Sequence, residues 1–275
     1  MDGRDFSGDT RGEVTVAARA GQPKGKIHFR RCGVGPVLLM VHGFPLSGEM
    51  WQNQLQELSS HFDCLVPDLR GFGDSSPIFD GWSVADFAED LACLLEGLQI
   101  ENVIFCGLSL GGYVGLEFLD RFPEKLSQVV FCNTRAEADD GVAARARRLM
   151  AERVRREGNG FLSREMLPRL LAEVNQDAEL QPDLRQLFRA ASVESIALTQ
   201  IAMANRRDFS GQMANGICPT TLVGGDDDRI TPAEQMEQWS DSIPGSCFWR
   251  IKRAGHLPPL ENPAEFNRVL RSLLS

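Results

Sequence analysis

The sequence lacks a surplus of positive charge, because 29 Lys and Arg residues stand against 38 Asp and Glu, a formal net charge of −9 in 275 residues. A surface that binds polyphosphates needs the opposite balance, so nucleic acid and anionic membranes are poor candidates as partners. The longest apolar run near the start, Val37–Val41, is far shorter than the roughly 20 residues of a membrane helix. Residues 1–31 also lack the apolar stretch of a secretory signal. We therefore expect a soluble, cytoplasmic protein without a membrane span.

The chain is also poor in the residues that build metal centres, with four histidines and seven cysteines. No group of them has the spacing of metal ligands, so we predict no metal site. Gly33 and Gly35 lack the third glycine and the preceding strand of a dinucleotide fingerprint, which argues against a nucleotide cofactor. Six cysteines have apolar neighbours and are predicted to be buried, reduced thiols: Cys64, Cys93, Cys106, Cys132, Cys218 and Cys247.

What the sequence does contain is an alternation of short apolar runs with helical periodicity. A predicted hairpin of residues 13–19 and 26–32 comes first. The runs that follow are predicted strands, namely Val37–Val41, Cys64–Asp68, Val103–Cys106, Gln128–Cys132, Thr220–Gly224 and Cys247–Ile251. Helical patterns lie between them, and the one that starts at Val84 is preceded by a capping box of Ser83 and Asp86. This alternation predicts an α/β fold with a doubly wound, mostly parallel sheet.

Residues 134–215 interrupt the alternation. They show helical patterns over Val142–Glu157, Arg164–Val174 and Pro182–Ala197, and no alternating strand. We predict a helical cap, inserted after the sixth strand, that covers the carboxyl edge of the sheet, where such folds bind ligands. The predicted domains are a core of residues 1–133 and 216–275 and a cap of residues 134–215.

A strand, a Gly-x-Ser-x-Gly motif and a helix follow one another around Ser109. A serine on so sharp a strand-to-helix turn is forced into strained backbone geometry, which exposes its hydroxyl above the sheet. The residues two before and two after it approach closely and must be small, as Gly107 and Gly111 are. The following helix N-terminus favours negative charge that develops nearby. Ser109 is therefore the candidate nucleophile.

A serine nucleophile needs a base, and histidine is the usual one near neutral pH. His28 lies in an early edge strand that we expect to be remote from the carboxyl end of the sheet, and His61 is expected in a surface turn. His42 follows the strand Val37–Val41 and is expected to hold its loop by hydrogen bonds. His256 begins the loop after the last strand, at the edge where Ser109 also lies, and is the predicted base.

The base in turn needs a carboxylate on its other ring nitrogen. Asp226, Asp227 and Asp228 follow the strand Thr220–Gly224. Asp228 is the preferred acid because it is last in the turn, 28 residues before His256, although Asp226 and Asp227 stay open as alternatives. The competing position after Gln128–Cys132 is occupied by Asn133, which cannot carry the charge.

An oxyanion hole requires two N–H groups aimed at the developing alkoxide. The residue after the nucleophile, Leu110, should supply one. The loop of His42, Gly43, Phe44 and Pro45 should supply the other through the N–H of Phe44, although an ordinary Gly-Pro turn is an equally good interpretation of that loop taken alone.

These motifs together resemble the α/β-hydrolase superfamily. The matching segments are residues 42–45, Asp68-Leu69-Arg70-Gly71-Phe72-Gly73-Asp74-Ser75, residues 107–112, residues 228–232 and Gly255-His256. The order Ser, Asp, His along the chain is that of the superfamily. The resemblance implies that Ser109, Asp228 and His256 act as nucleophile, acid and base, and that Phe44 and Leu110 form the oxyanion hole. The chain is most similar to the esterase and β-ketoadipate enol-lactone hydrolase branch.

The resemblance implies a cofactor-free hydrolase of small carboxylic esters or lactones that works through an acyl-enzyme. The alternatives that share the triad are a C–C bond hydrolase and a cofactor-free haloperoxidase or perhydrolase, and a non-enzymatic ligand receptor is a third possibility. The sequence does not identify the natural substrate or the oligomeric state.

Six arginines crowd the first helix of the predicted cap. A solvated face with weak ion pairs explains them, but an arginine turned inward, or Arg135, could also hold an anionic group of a substrate. Met150, Met166 and Phe161 are candidates to line an acyl pocket, although residues at helical spacing are more often core.

Overall fold

An eight-stranded sheet forms the centre of the molecule in the computed structural model, which describes residues 9–16, 23–176, 180–212 and 218–274. Its strands are β1 (Thr10–Val16), β2 (Gly25–Gly33), β3 (Val37–Val41), β4 (Asp63–Pro67), β5 (Val103–Leu108), β6 (Leu126–Cys132), β7 (Thr220–Gly225) and β8 (Cys247–Ile251). They lie in the order β1-β2-β4-β3-β5-β6-β7-β8. The pairs β1/β2 and β2/β4 are antiparallel and the other five pairs are parallel. The predicted doubly wound, mostly parallel sheet is confirmed.

Ten α-helices connect or flank the described strands. They are α1 (Gln52–Leu58), α2 (Val84–Gly97), α3 (Leu110–Arg121), α4 (Gly141–Glu157), α5 (Leu162–Leu170), α6 (Leu180–Ala190), α7 (Val193–Ala204), α8 (Ala233–Asp241), α9 (Pro258–Glu261) and α10 (Pro263–Ser272). The predicted capping box is present, because the Ser83 side chain accepts the N–H of Asp86 while the Asp86 carboxylate accepts the N–H of Ser83. None of the helices in the described part of the chain is long and apolar enough to cross a membrane.

The central strands are apolar because helices cover both faces of the sheet. Every residue of β5 and β7 is buried, as are four of the five residues of β3. The cysteine prediction is only partly right: all seven are free, but Cys247 is exposed and Cys93 is half-buried. Cys247 belongs to β8, which is the edge strand, so one side of it has no neighbouring strand to cover it.

The N-terminal hairpin is confirmed, with β1 paired to β2 along its whole length. Residues 17–19 of its predicted first strand, and the turn residues 21 and 22, lie outside the described residues. β2 is not an edge strand, however, because β4 lies on its other side and runs antiparallel to it. The beginning of β2 therefore lies at the carboxyl edge of the parallel strands.

Four helices, α4 to α7, follow one another between β6 and β7, which agrees with an insertion after the sixth strand. The helix predicted over 182–197 is in fact two, because the Ser192 hydroxyl accepts the N–H of Ser195 and starts a new helix. α5 ends at Leu170, four residues earlier than predicted. The predicted domain boundary at residue 216 lies outside the described residues, and the division into core and cap stays a prediction.

Candidate active site

Ser109 stands at the turn between β5 and α3 in a conformation that L-residues rarely adopt, with φ 53° and ψ −108°. The space around it explains the two flanking glycines. A Cβ on Gly107 would lie 2.3 Å from the carbonyl oxygen of Gly111, and one on Gly111 would lie 2.3 Å from that of Val41. A side chain at either position would push the turn apart, so the sharp turn and its strain depend on both glycines.

The structure brings the three predicted triad residues together from three different loops. The Nε2 atom of His256 lies 2.9 Å from the Ser109 Oγ, and its Nδ1 atom lies 2.8 Å from Oδ2 of Asp228. His256 and Asp228 are buried, with 3% and 6% of their surfaces exposed. One ring nitrogen therefore faces the hydroxyl while the other faces a carboxylate, which is the arrangement that lets a histidine take the hydroxyl proton.

The Asp228 carboxylate is held as an anion by hydrogen bonds from its own turn and from Asn133. Oδ1 accepts the N–H groups of Ile230 and Thr231, while Oδ2 accepts the Thr231 hydroxyl at 2.5 Å and the Asn133 amide at 2.7 Å. Burial by itself would raise the pKa of Asp228, but the charge of His256 and the hydrogen bonds from His256, Thr231 and Asn133 hold this pKa below its ordinary value. The carboxylate is therefore ionised at neutral pH.

The two neighbouring aspartates point elsewhere. Asp226 accepts the N–H of Ala254 at 3.3 Å, and Asp227 accepts the N–H of Glu173 at 2.8 Å. Asp226 is exposed and Asp227 is half-buried, and neither carboxylate has a hydrogen bond to His256 among those of the described residues.

Asn133 is the site residue whose role the sequence did not reveal. It is fully buried at the end of β6, it has a positive φ of 42°, and its amide donates both to Asp228 and to the carbonyl of Gly255. An asparagine tolerates positive φ better than most residues. Its position directly after a predicted strand is therefore the one signal in the sequence that indicates a special backbone conformation there. The position that could hold a competing acid instead supports Asp228.

The other histidines have structural contacts. His42 is buried, its Nδ1 lies 3.1 Å from the Gly43 carbonyl and its Nε2 accepts the N–H of Leu69, so it holds its loop as predicted. His61 is exposed, also as predicted. The expectation for His28 was wrong: its Nδ1 lies 3.1 Å from the Asp68 carboxylate, directly after β4, because antiparallel β2 begins at the carboxyl edge.

His28, Asp68 and Asp74 form the one group of possible metal ligands found among the described residues. Both oxygens of Asp68 already accept backbone N–H groups, from Gly48 and from Asp74. Its hydrogen bonds therefore hold the loop after β4.

The two segments predicted to supply the oxyanion amides both come close to Ser109. Leu110 is the first residue of α3, so its N–H has no partner within the helix. The loop that contains Phe44 passes close to the serine, since a Cβ on Gly43 would lie 3.5 Å from the Ser109 Cβ. The assignment of these two amides to an oxyanion hole stays a prediction.

A cavity of about 300 Å³ opens between the inserted helices and the loop after β7. It is lined by Ala143, Ala146, Arg147, Met150, Met166, Arg169, Gln200 and Ile230. Ile230 is two residues past Asp228, and α5, which carries Met166 and Arg169, ends at Leu170, whose carbonyl accepts the N–H of His256. The cavity thus borders the loop of Asp228, and the helix α5 that lines it ends against the loop of His256. Met150 and Met166, two of the three candidates for an acyl pocket, line this cavity, and Phe161 is not among its lining residues.

Most arginines of α4 form ion pairs or hydrogen bonds on the protein surface, as the simpler interpretation expected. Arg153 pairs with Glu157 and Glu165, and Arg155 pairs with Glu194. Arg135 donates to the carbonyl of Ile230.

The two arginines at the cavity differ from these. Arg147 shares the Asp139 carboxylate with Arg206, so two cations have one anion. Arg169 is exposed, and no carboxylate of the described residues lies within ion-pair distance of it.

Comparisons with known proteins agree with this architecture. A family model described as alpha/beta hydrolase fold matches residues 36–263. A thermophilic esterase from Thermogutta terrifontis, solved with malate bound, is 38% identical with a TM-score of 0.92, covering 96% of this chain and 98% of its own. The 3-oxoadipate enol-lactonase 2 of Acinetobacter baylyi is 26% identical over 241 residues, 87% of this chain and 88% of its own. A pimeloyl-[acyl-carrier protein] methyl ester esterase of Nitrosospira multiformis is 25% identical over 252 residues, 87% and 95% of the two chains.

Proposed function

The chain belongs to the α/β-hydrolase family, and we propose that it is a serine hydrolase that cleaves small carboxylic esters or lactones through an acyl-enzyme. The observation that carries the proposal is the continuous hydrogen-bonded chain from the Ser109 hydroxyl through His256 to the buried Asp228 carboxylate. The esterase and enol-lactonase relatives act on substrates of this class, which supports the same chemistry here.

In the proposed reaction, Ser109 attacks the carbonyl carbon while His256 takes its proton. The N–H groups of Phe44 and Leu110 stabilise the oxyanion of the tetrahedral intermediate. His256 then gives the proton to the leaving alkoxide, which departs as an alcohol, or remains attached as a hydroxyl when the substrate is a lactone. Water, deprotonated by the same histidine, hydrolyses the acyl-enzyme and restores the serine. Asp228 stabilises the imidazolium that forms in each half-reaction.

A hydrolysis screen with p-nitrophenyl esters, thioesters and lactones tests this proposal. We expect turnover of at least one short ester or lactone without an added metal or cofactor. A diketone substrate, and peroxide with acetate, test the alternatives of a C–C bond hydrolase and a perhydrolase. Cleavage of the diketone with no ester turnover would replace the proposal with a C–C bond hydrolase. Peracid formation with no ester turnover would favour a perhydrolase. A receptor would turn over none of these compounds.

The rate should rise with pH over a single inflection. A histidine acts as a base only in its neutral form, so a reaction with one histidine base gives kcat/KM a single rising inflection. The lowered pKa of Asp228 keeps that group ionised throughout, so it should add no inflection above about pH 4, the ordinary range of an aspartate. A kcat/KM profile on a p-nitrophenyl ester measures this. A second inflection that disappears in Asp228→Asn would contradict the assignment of Asp228 as a permanent anion.

Arg169 should favour esters whose acyl chain ends in a carboxylate, because it lines the cavity without a carboxylate partner among the described residues. The test compares p-nitrophenyl pentanoate with the mono-p-nitrophenyl ester of pentanedioic acid. Arg169→Gln should lower kcat/KM for the charged ester by up to about fivefold, the range of exposed ion pairs, and leave the neutral ester unchanged. Arg164→Gln, on the same helix but outside the cavity lining, is the control. An equal change for both esters would show that Arg169 does not recognise the charge.

A further inference from the structure

Glu261 carries a half-buried carboxylate that contacts the loop of His256 on one side and, on the other, the segment that follows α5 in the inserted region. Its Oε1 accepts the N–H of Gly255 at 2.9 Å and that of Leu257 at 3.1 Å, the two residues that flank the histidine. Its Oε2 accepts the N–H of Ala172 at 2.7 Å and the amide of Asn175 at 2.9 Å. One side chain therefore satisfies four donors that belong to two separate parts of the chain.

The backbone around His256 is fixed by these bonds and by one more. The N–H of His256 itself donates to the carbonyl of Leu170 at 2.6 Å, so three consecutive N–H groups of the loop all have acceptors. The approach is close, since a Cβ on Gly255 would lie 2.5 Å from that carbonyl oxygen. The segment 170–175, which follows α5, thus lies directly against the histidine.

The same segment also contacts the loop of the acid. The N–H of Glu173 donates to Asp227, and the Asn175 amide donates to the carbonyl of Arg253 as well as to Glu261. Displacement of segment 170–175 would therefore shift the loops that carry both Asp228 and His256. Of these contacts, Glu261 alone joins both flanks of the histidine to the segment.

Glu261 is held by donors rather than by a cation. No ion pair among the described residues includes it, and burial raises its pKa while the hydrogen bonds from Asn175, Ala172, Leu257 and Gly255 oppose that rise. A carboxylate withdrawn from solvent without a counter-ion is costly unless its acceptors are filled, and here four donors fill them. An apolar side chain at this position would leave the same N–H groups unpaired.

We propose that Glu261 is a positioning residue for His256: it bridges the histidine loop to segment 170–175, so that the base keeps its distance from Ser109 only while the inserted helices are docked. The proposal rests on the proposed function of His256 as the base. A misplacement of about 1 Å at a catalytic group can cost about 100-fold in rate, so loss of the bridge should appear in turnover before it appears in substrate binding.

The test is Glu261→Gln, which keeps the size of the side chain but puts an NH₂ group, a donor, where one carboxylate oxygen accepts N–H groups. Glu265→Gln, in α10, is the matched control. Glu265 accepts the backbone N–H of Lys252 after β8 and the Asn262 amide, and it pairs with Arg268; none of its hydrogen bonds among the described residues reaches the histidine flanks or segment 170–175. We measure kcat and KM on p-nitrophenyl acetate and divide kcat by the fraction of protein whose serine a fluorophosphonate probe labels. The thermal unfolding midpoint of each variant is measured as well.

Glu261→Gln should lower kcat by roughly 10-fold to 100-fold with KM within about threefold, while Glu265→Gln stays within about twofold of wild type. A purely structural role would lower the unfolding midpoint and leave kcat per labelled serine within twofold, and that result overturns the proposal. If Glu261→Gln does not fold, Asn175→Ala decides: a drop in kcat of threefold or more supports the bridge, and an unchanged kcat overturns it. Failure of the proposed function itself would be recognised separately, as wild-type protein that neither reacts with the probe nor hydrolyses the ester.

Discussion

Replacement of Ser109 by alanine should lower kcat on a p-nitrophenyl ester by about 10⁶-fold, leaving only the residual rate that binding and the oxyanion amides provide. Among the described residues, Ser109 carries the one hydroxyl that is hydrogen-bonded to His256 Nε2, so no other hydroxyl can replace it as the nucleophile. The fold should survive, because alanine is smaller and the neighbouring glycines, on which the turn depends, are untouched.

Ser127→Ala is the control for that variant. Ser127 lies in β6, where its hydroxyl donates to the carbonyl of Val103, and it has no contact with the triad. We expect its kcat to stay within about twofold of wild type. A Ser109→Ala protein that is folded and keeps more than about 1% of the wild-type kcat would contradict the role of this serine.

The change Asp228→Asn should lower kcat by about 10⁴-fold while the fold is kept. An amide at this position would favour the wrong tautomer of His256 and could not stabilise the imidazolium. The amide would also place donors against the Thr231 hydroxyl and the Asn133 side chain, which now donate to the carboxylate. Pre-steady-state and steady-state rates on one p-nitrophenyl ester measure the loss.

Asp226→Asn and Asp227→Asn are the matched controls, because they remove the same charge from the same turn. Each accepts a backbone N–H outside the triad, so we expect losses of less than about tenfold. If Asp226→Asn or Asp227→Asn were the damaging change and Asp228→Asn were tolerated, the acid would be misassigned.

The fold class was predictable because its signals are local. Apolar runs, a capping box and strand–helix alternation are each read within a few neighbouring residues. Ser109 could be singled out for the same reason, since the strand, the two glycines and the helix of its turn are contiguous. Chain order and the meeting of parallel strands at one edge then pointed to Asp228 and His256.

The remaining features depend on pairing that no local pattern encodes. His28 was misplaced because the direction of β2 relative to β4 is fixed by register and cannot be read from either strand. Asn133 and Asp228 meet across 95 residues, and Glu261 reaches Ala172 across 89. Hydrogen bonds between such distant residues can be recognised only once the loops have their positions in the fold. The sequence therefore predicts the central residues of the candidate site but not the residues that support them.

The site at which the protein reacts with diisopropyl fluorophosphate, located by peptide mass spectrometry, tests the role of Ser109 most directly. We predict one adduct per chain, on Ser109, with labelling that is lost in Ser109→Ala and strongly slowed in His256→Ala. An adduct on a different residue, or an unlabelled protein that still hydrolyses esters at the wild-type rate, would contradict it.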